Sequence, residues 1–371
     1  MTPGYRCDVF IVGGGPAGLA AAIAARQSGL QVTVADARHP PIDKACGEGL
    51  MPDAVKALHA LGVSFSEAVP FRGIRFLDGR SGRAAETLFG PGVGLAMRRT
   101  TLHAKLVARA AEAGADLRWG ARVALLADGA LTCNSEIVTA DWIVGADGQQ
   151  SPVRRWARLE PLGPARQRFG FRKHFRIAPW SDLVEVYWGA RCQIAVTPTA
   201  PDEVGLALLS RDPNLRIAAA LRAMPVLAEK LAGAEASAPE RGAPCSLRRL
   251  RSVTQRRVAL IGDASGSADP VTGEGLGLAF RQALALAEAL RARNLTAYER
   301  AHRRIGLPPY RLSQLALFMD RHPRLRQRAL RVLAAEPQLF ARLIDTQSDE
   351  STRTAAQFAD AIRFGWKLAR P

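Results

Sequence analysis

Residues 7–36 read CDVFIVGGGPAGLAAAIAARQSGLQVTVAD, and the rest of the chain is arranged around them. Val9 to Val12 is a short apolar run of strand type, Gly13-x-Gly15-x-x-Gly18 turns sharply, and an alanine-rich helix runs from Pro16 and Ala17 to Ser28, stopped by Gly29. Leu30 to Ala35 then reads as a second strand closing on Asp36. A bound pyrophosphate explains the residue types. Gly13 makes the tight turn, Gly15 lets backbone amides approach the phosphates, and Gly18 lets helix and strand pack closely. The helix N-terminus adds free N–H groups and a partial positive charge. Asp36, eighteen residues beyond Gly18, stands where a carboxylate accepts hydrogen bonds from a ribose diol. A glycine turn alone is weak evidence, but strand, helix and acid together define a dinucleotide-binding unit.

Composition bounds the remainder. At 371 residues and 48% hydrophobic, the chain buries a sizeable core, as two or three domains or one discontinuous pair. Its five cysteines, at 7, 46, 133, 192 and 245, are odd in number and never spaced CxxC. That pattern argues against a disulfide framework and a zinc site, so no metal is expected and a reducing cytoplasm is the expected location. The uncharged run from Val9 to Ala25 is glycine-broken and fits the nucleotide unit better than a signal peptide; no other stretch approaches a membrane span. A net charge of +17 raises nucleic acid as a partner. The basic residues are nearly all arginine, scattered, and lack an aromatic-flanked platform, so they read as solvated surface with no nucleic acid bound.

In chain order, the loop Ala37 to Leu50 carries Lys44-Ala-Cys46-Gly47-Glu-Gly49 and precedes a helix from Pro52 to Leu61. Arg72 to Asp78 and Ala84 to Phe89 form a strand pair, and Gly90 to Gly94 is a turn. Arg99 opens a helix to about Ala113. Asp116 to Leu126 supplies one or two strands, Ala130 to Thr139 a hairpin, and Trp142 to Ala146 a buried strand delivering Asp147 into the turn Gly145-Ala-Asp-Gly148. Residues 160–250 change character: Phe169 to Ile177, Leu183 to Gly189, Gln193 to Thr197 and Glu203 to Ser210 alternate as antiparallel strands, followed by helices Leu215 to Met224 and Val226 to Ala232. Arg257 to Asp263 returns to the buried-strand pattern, and Asp269-Pro270-Val-Thr-Gly273-Glu-Gly275-Leu276-Gly277 leads into a long helix to Arg293, a second helix N-terminus for the site.

These motifs in this order resemble the flavoprotein monooxygenase superfamily with the para-hydroxybenzoate hydroxylase fold, and within it the branch of geranylgeranyl reductases and flavin-dependent halogenases. The resemblance rests on Gly13-x-Gly15-x-x-Gly18 with Asp36, Arg99-x-x-Leu-His, Gly145-Ala-Asp147-Gly148, and Gly262-Asp263 with Pro270-x-x-Gly273-Glu-Gly275, and spans residues 7 to about 300. It implies an α/β fold: a Rossmann-type, glutathione reductase-like FAD-binding domain (1–71, 96–158, 252–300), an inserted, mostly antiparallel substrate domain (72–95, 159–251) and a C-terminal helical cap (301–371). It further implies that Gly13 to Gly18 and Asp36 hold the ADP half of FAD, Arg99 the pyrophosphate or ribityl region, and Val123 the adenine. By the same resemblance Asp263 meets the ribityl chain, Pro270 and Gly273 to Gly277 the flavin's pyrimidine edge, and Asp147 both FAD and NADPH or NADH. Lys44, Cys46 and Gly47 resemble the reductases' cysteine-glycine loop beside the flavin ring.

The aromatic substrate-sheet motifs of the reductases and halogenases are replaced here by Gln193, Ala195 and Thr197. Hydroxylation of an aromatic, polyketide-like or lipidic small molecule is therefore the leading expectation, with reduction of prenyl double bonds and a carrier-binding flavoprotein without turnover as alternatives. His174 and Tyr187 are weak candidates for a base, and no catalytic residue is assigned. The tail reads as short helices, Leu312 to Asp320, Arg324 to Ala334 and Gln338 to Ile344, broken at His322-Pro323 and Glu336-Pro337. They are expected to cap the FAD domain with a solvated basic face built from Arg321, Arg324, Arg326, Arg328 and Arg331. A sharper reading has that face dock an acyl carrier protein or anionic lipid headgroups at a membrane surface.

Overall fold

The computed structural model describes residues 5–90, 92–126, 130–164, 166–344, 360 and 363–365. The chain opens with β1 (Tyr5–Val12), α1 (Pro16–Gln27) and β2 (Val32–Asp36), then β3 (Gly49–Leu50), α2 (Pro52–Ala60), β4 (Val69–Phe71), β5 (Gly73–Asp78), β6 (Ala84–Leu88) and β7 (Gly94–Ala96). Next come α3 (Arg99–Glu112), β8 (Asp116–Trp119), β9 (Val123–Leu125), β10 (Leu131–Cys133), β11 (Glu136–Gly145) and α4 (Pro152–Trp156). The second half holds β12 (Arg166–Arg176), β13 (Leu183–Trp188), β14 (Cys192–Ala200), β15 (Glu203–Ser210), α5 (Ile217–Arg222), α6 (Pro225–Lys230), β16 (Glu235–Ala236) and β17 (Arg241–Leu247). After β18 (Thr254–Gln255) and β19 (Val258–Leu260), two short 3-10 turns lead to α7 (Gly275–Arg291), α8 (Leu295–Arg321), α9 (Pro323–Ala335) and α10 (Pro337–Ile344).

The first sheet runs β18-β19-β11-β1-β2-β8, and β1 pairs in parallel with both β2 and β11. Because Val12 faces Ala35 on one side and Gly145 on the other, the strand ends carrying Gly13, Asp36 and Asp147 meet at one edge. Open α/β sheets bind ligands at that carboxyl edge. The alanines of α1 let it lie close between this sheet and α7; Leu19 to Ala25 are all buried. Gly18 sits at its tightest point: a Cβ there would lie 1.9 Å from the Gly13 carbonyl oxygen.

The second sheet runs β16-β12-β15-β14-β13-β5-β6 with β17 on β12, and among these pairs only β13–β5 is parallel. Alternation along its strands gives it two different faces. Tyr187, Ile194 and Val196 pack with Ile217 of α5 and Leu227 of α6, whereas Val184, Val186, Trp188, Gln193, Ala195 and Thr197 line the cavity described below.

Several sequence expectations shift. The arm ending at Thr139 and the buried strand beginning at Trp142 are one strand, β11, because Ala140 stays extended against Cys7 of β1. β17 had no alternation to announce it; it is an edge strand, where Pro244 lacks an N–H at no cost to an inner ladder. Gly94 belongs to β7 rather than to a turn, and Pro91 lies outside the described residues. The helix expected from Leu312 is the last third of the 27-residue α8, which continues through Pro308 and Pro309. Finally, the tail caps a different surface than expected. α8 packs on α7, but α9 and α10 cover β5 and β6 of the second sheet. The rest of the tail, 345–359 and most of 361–371, lies outside the described residues.

Candidate active site

One cavity of about 790 Å³ lies between the carboxyl edge of the first sheet and the inner face of the second. At its nucleotide end, Gly13, Gly15, Pro16, Ala17, Asp36 and Val123 form the wall. Gly13 has φ +111°, and a Cβ on it would strike the Ala146 carbonyl at 2.4 Å, so only glycine fits the crossing of these loops. Gly15 is the reverse case, with open space where its Cβ would be. It is also the N-cap of α1 without any side-chain cap, which leaves the first-turn N–H groups directed outward. Asp36 is held by the Gly14 N–H at 2.8 Å and the Arg38 N–H at 2.9 Å. Gly18, the remaining member of the motif, is absent from the wall and packs behind it.

His103, the histidine of Arg99-x-x-Leu-His, has a role that its local sequence does not announce. It is fully buried, its Nε2 lies 2.9 Å from the Gly14 carbonyl oxygen, and burial lowers its pKa, so the neutral ring donates there and fixes the phosphate turn.

Toward the middle, Arg99, Lys44, Cys46, Gly47, Asp147 and Asp263 line the wall. Lys44 Nζ pairs with Asp263 at 2.9 Å, both partly exposed. Asp147 accepts from the Val153 N–H at 3.0 Å through Oδ2, while its buried Oδ1 and the Arg99 Nε have no partner among the described residues. Burial raises the Asp147 pKa above the ordinary carboxylate value, against the hydrogen bonds that lower it. The Cys46 loop is pinned through Glu48, which adopts φ +61°. Its Oε1 accepts from the Arg99 N–H and Arg172 Nη1, both at 2.9 Å, and its Oε2 lies 2.6 Å from His174 Nε2. Thr197 adds a bond to the Gly47 carbonyl at 2.8 Å. Opposite, Pro270, Gly273, Gly275 and Leu276 bring the N-terminus of α7 to the wall, again without a side-chain cap.

The far end is an apolar chamber. Phe76, Val186, Trp188, Met319, Leu333 and Phe340 face it from the second sheet, α8, α9 and α10. Neither weak base candidate reaches it. Tyr187 is on the opposite sheet face, donating to Glu185 at 2.6 Å, and His174 is bound to Glu48.

These residues fit a flavin dinucleotide: open glycine cradles at 15, 273 and 275, two uncapped helix N-termini, and between them a carboxylate oxygen of Asp147 and the Nε of Arg99, both without a partner among the described residues. Such a cradle, opening on an apolar chamber, is that of an FAD-binding protein. A family model described as FAD binding domain matches residues 6–302, and the chain belongs to that family, with its para-hydroxybenzoate hydroxylase-like fold. Menaquinone reductase of Mycobacterium tuberculosis is 36% identical over 183 residues, 44% of each chain, so the chain spans less than half of that relative. Menaquinone reductase of Mycolicibacterium smegmatis is 28% identical over 80% of this chain and 79% of its own length. 2-Heptyl-3-hydroxy-4(1H)-quinolone synthase of Mycobacteroides abscessus is 28% identical over 76% and 80%. Among solved structures, p-nitrophenol 4-monooxygenase from Pseudomonas putida superposes with a TM-score of 0.77 at 17% identity, covering 99% of this chain and 100% of its own. A geranylgeranyl bacteriochlorophyll reductase-like protein from Thermoplasma acidophilum gives 0.71 at 20%, covering 98% and 99%. These two show a shared fold. Among the described residues no helix is long and apolar enough to cross a membrane, and no His, Cys, Asp and Glu group could hold a metal ion.

Proposed function

We propose that the enzyme, reduced by NADPH or NADH, hydroxylates the ring of a small molecule that joins a flat, electron-rich ring to an apolar tail. The observation carrying this reading is the apolar chamber that continues the flavin cradle, walled by Trp188, Phe76 and Phe340. Bound FAD supplies hydride acceptance and the activation of dioxygen. The chain's part is to orient and to exclude water. Gly15 and the α1 N-terminus would take the pyrophosphate, Asp36 the ribose, and Asp263, now paired with Lys44, the ribityl hydroxyls. The α7 N-terminus would favour negative charge on a flavin held beside it. With His174 and Tyr187 turned away, a ring activated by its own heteroatom suits the chamber better than a phenol needing a side-chain base.

Reduction of a double bond in the same class of ligand is the second reading, supported by Cys46 in the cavity wall and by the menaquinone reductase relatives. NAD(P)H oxidation is measured with an alkylquinolone and with a prenylated quinone, in air and under nitrogen. Hydroxylation predicts oxygen-dependent turnover and one added oxygen atom; undiminished anaerobic turnover with a saturated product replaces it with reduction.

A further inference from the structure

The second sheet brings one side-chain amide, Gln193, and one hydroxyl, Thr197, to the chamber wall among the described residues, and the Thr197 hydroxyl is already given to Gly47. Gln193 is held between a buried ion pair and a buried carboxylate whose arginine partner is exposed. Its Oε1 accepts from Arg168, and its Nε2 donates to Asp320 Oδ1 at 2.5 Å. Arg168 pairs with Asp269 at 2.9 Å, and Asp320 with Arg211 at 3.2 Å. The amide cannot turn over, because a guanidinium only donates and a carboxylate accepts. Burying the Arg168–Asp269 pair costs desolvation that its attraction scarcely recovers, so the consequence of the arrangement is geometric rather than stabilising. The frame also reaches the flavin loop: the Asp269 N–H donates to Ser313 of α8 at 2.9 Å, and its Oδ1 accepts from the Val271 N–H at 3.1 Å.

A primary amide has two N–H donors, and Asp320 takes one. We propose that the other N–H of Gln193 is the specificity-determining contact for an oxygen on the substrate ring. The ring then lies oxygen-first against β14, with the tail among Met319, Leu333 and Phe340. This inference rests on the ring-plus-tail reading above and narrows it to rings bearing a carbonyl or hydroxyl oxygen.

The test titrates FAD-loaded enzyme with a 2-alkyl-4-quinolone and with the matching 2-alkylquinoline, which lacks the ring oxygen, following the flavin absorbance. Wild-type enzyme binds the oxygenated ring about ten- to a hundredfold more tightly, the range for a buried group that loses its hydrogen-bond partner. In Gln193→Glu a carboxylate has no donor and a carboxylic acid has only one, facing Asp320, so no spare donor remains and the preference disappears while affinity for the quinoline persists. Gln193→Leu gives the same loss of preference and serves if the first variant fails to take up FAD. A wild-type ratio near one, or a ratio kept by either variant, overturns the inference and leaves the ring-plus-tail reading standing. If neither compound perturbs the wild-type flavin, that reading falls and the inference with it.

Discussion

Two glycines three residues apart carry different consequences. Gly15 has φ −73° and open space at its Cβ position, so a side chain there keeps the fold but projects toward the pyrophosphate. Gly15→Val is expected to retain its thermal midpoint without FAD and to lose FAD affinity by at least about tenfold. Gly18→Ala would press a methyl onto the Gly13 carbonyl, 1.9 Å away, and is expected to destabilise the apoprotein itself by about 1–3 kcal/mol. Calorimetry with and without FAD separates the two effects. Asp147 is a matter of sign. Its pKa is raised in the fold, so its contribution to stability is fully present below the ordinary carboxylate range and is lost as pH rises through the raised value. Asp147→Asn is therefore expected to flatten the decline of apoprotein stability above pH 4, measured by urea unfolding across that range; an unchanged slope would show that the carboxyl ionises as freely in the fold as outside it.

At the scale of elements, the C-terminal helices decide what the cavity is. α9 and α10 close the chamber over β5 and β6, and Phe340 of α10 meets the Phe76 ring at 5.0 Å between centroids. The arginine-rich segment is not a uniform basic face. Arg326 is 6% exposed with its guanidinium 5.7 Å from the Trp188 ring, while Arg321, Arg324 and Arg331 are exposed. Replacing Arg326 would thus test packing rather than docking. If the exposed arginines, beside the half-exposed Phe318, meet anionic lipid, each contributes about 1 kcal/mol within a Debye length of about 8 Å. Exchanging Arg321, Arg324 and Arg331 for glutamate is expected to weaken sedimentation with phosphatidylserine vesicles by up to about a hundredfold at low salt, and to leave turnover of a detergent-dispersed substrate unchanged. Equal vesicle binding by both proteins would return the segment to solvated surface.

For the molecule as a whole, the two sheets work as one only while they stay in register across the cavity. Arg98, the residue before α3, grips Glu203 of β15 through both guanidinium edges, with Nε–Oε1 at 2.8 Å. Burial alone would raise the Glu203 pKa, but Arg98, Ser237 and Thr199 overcome it and hold the carboxyl at about 2. A depressed carboxylate contributes stability above its ordinary value and loses it as pH falls toward 2, here at most about 3 kcal/mol. Glu203→Gln is expected to be less stable than wild type at pH 7 by up to that amount, with the gap closing between pH 4.5 and 2; a gap independent of pH would assign the loss to packing instead.

What the sequence determined by itself is whatever is encoded locally. The turn Gly13 to Gly18, the acid at 36, the Gly145 to Gly148 turn and the start of α7 were legible because short-range backbone chemistry demands those residue types at those spacings. FAD binding and fold class followed from their order. The tertiary structure alone decided which face of the second sheet meets the cavity, and so removed Tyr187 from the site. It alone made Glu48 and Gln193 fixed parts of the wall and His103 a support behind it, since their partners lie 51, 127 and 89 residues away. It alone carried α9 and α10 onto β5 and β6 and buried Arg326 within a run of exposed arginines. A sequence records which residues prefer to be buried or turned, but the partner that satisfies a buried polar group is chosen when distant segments pack together.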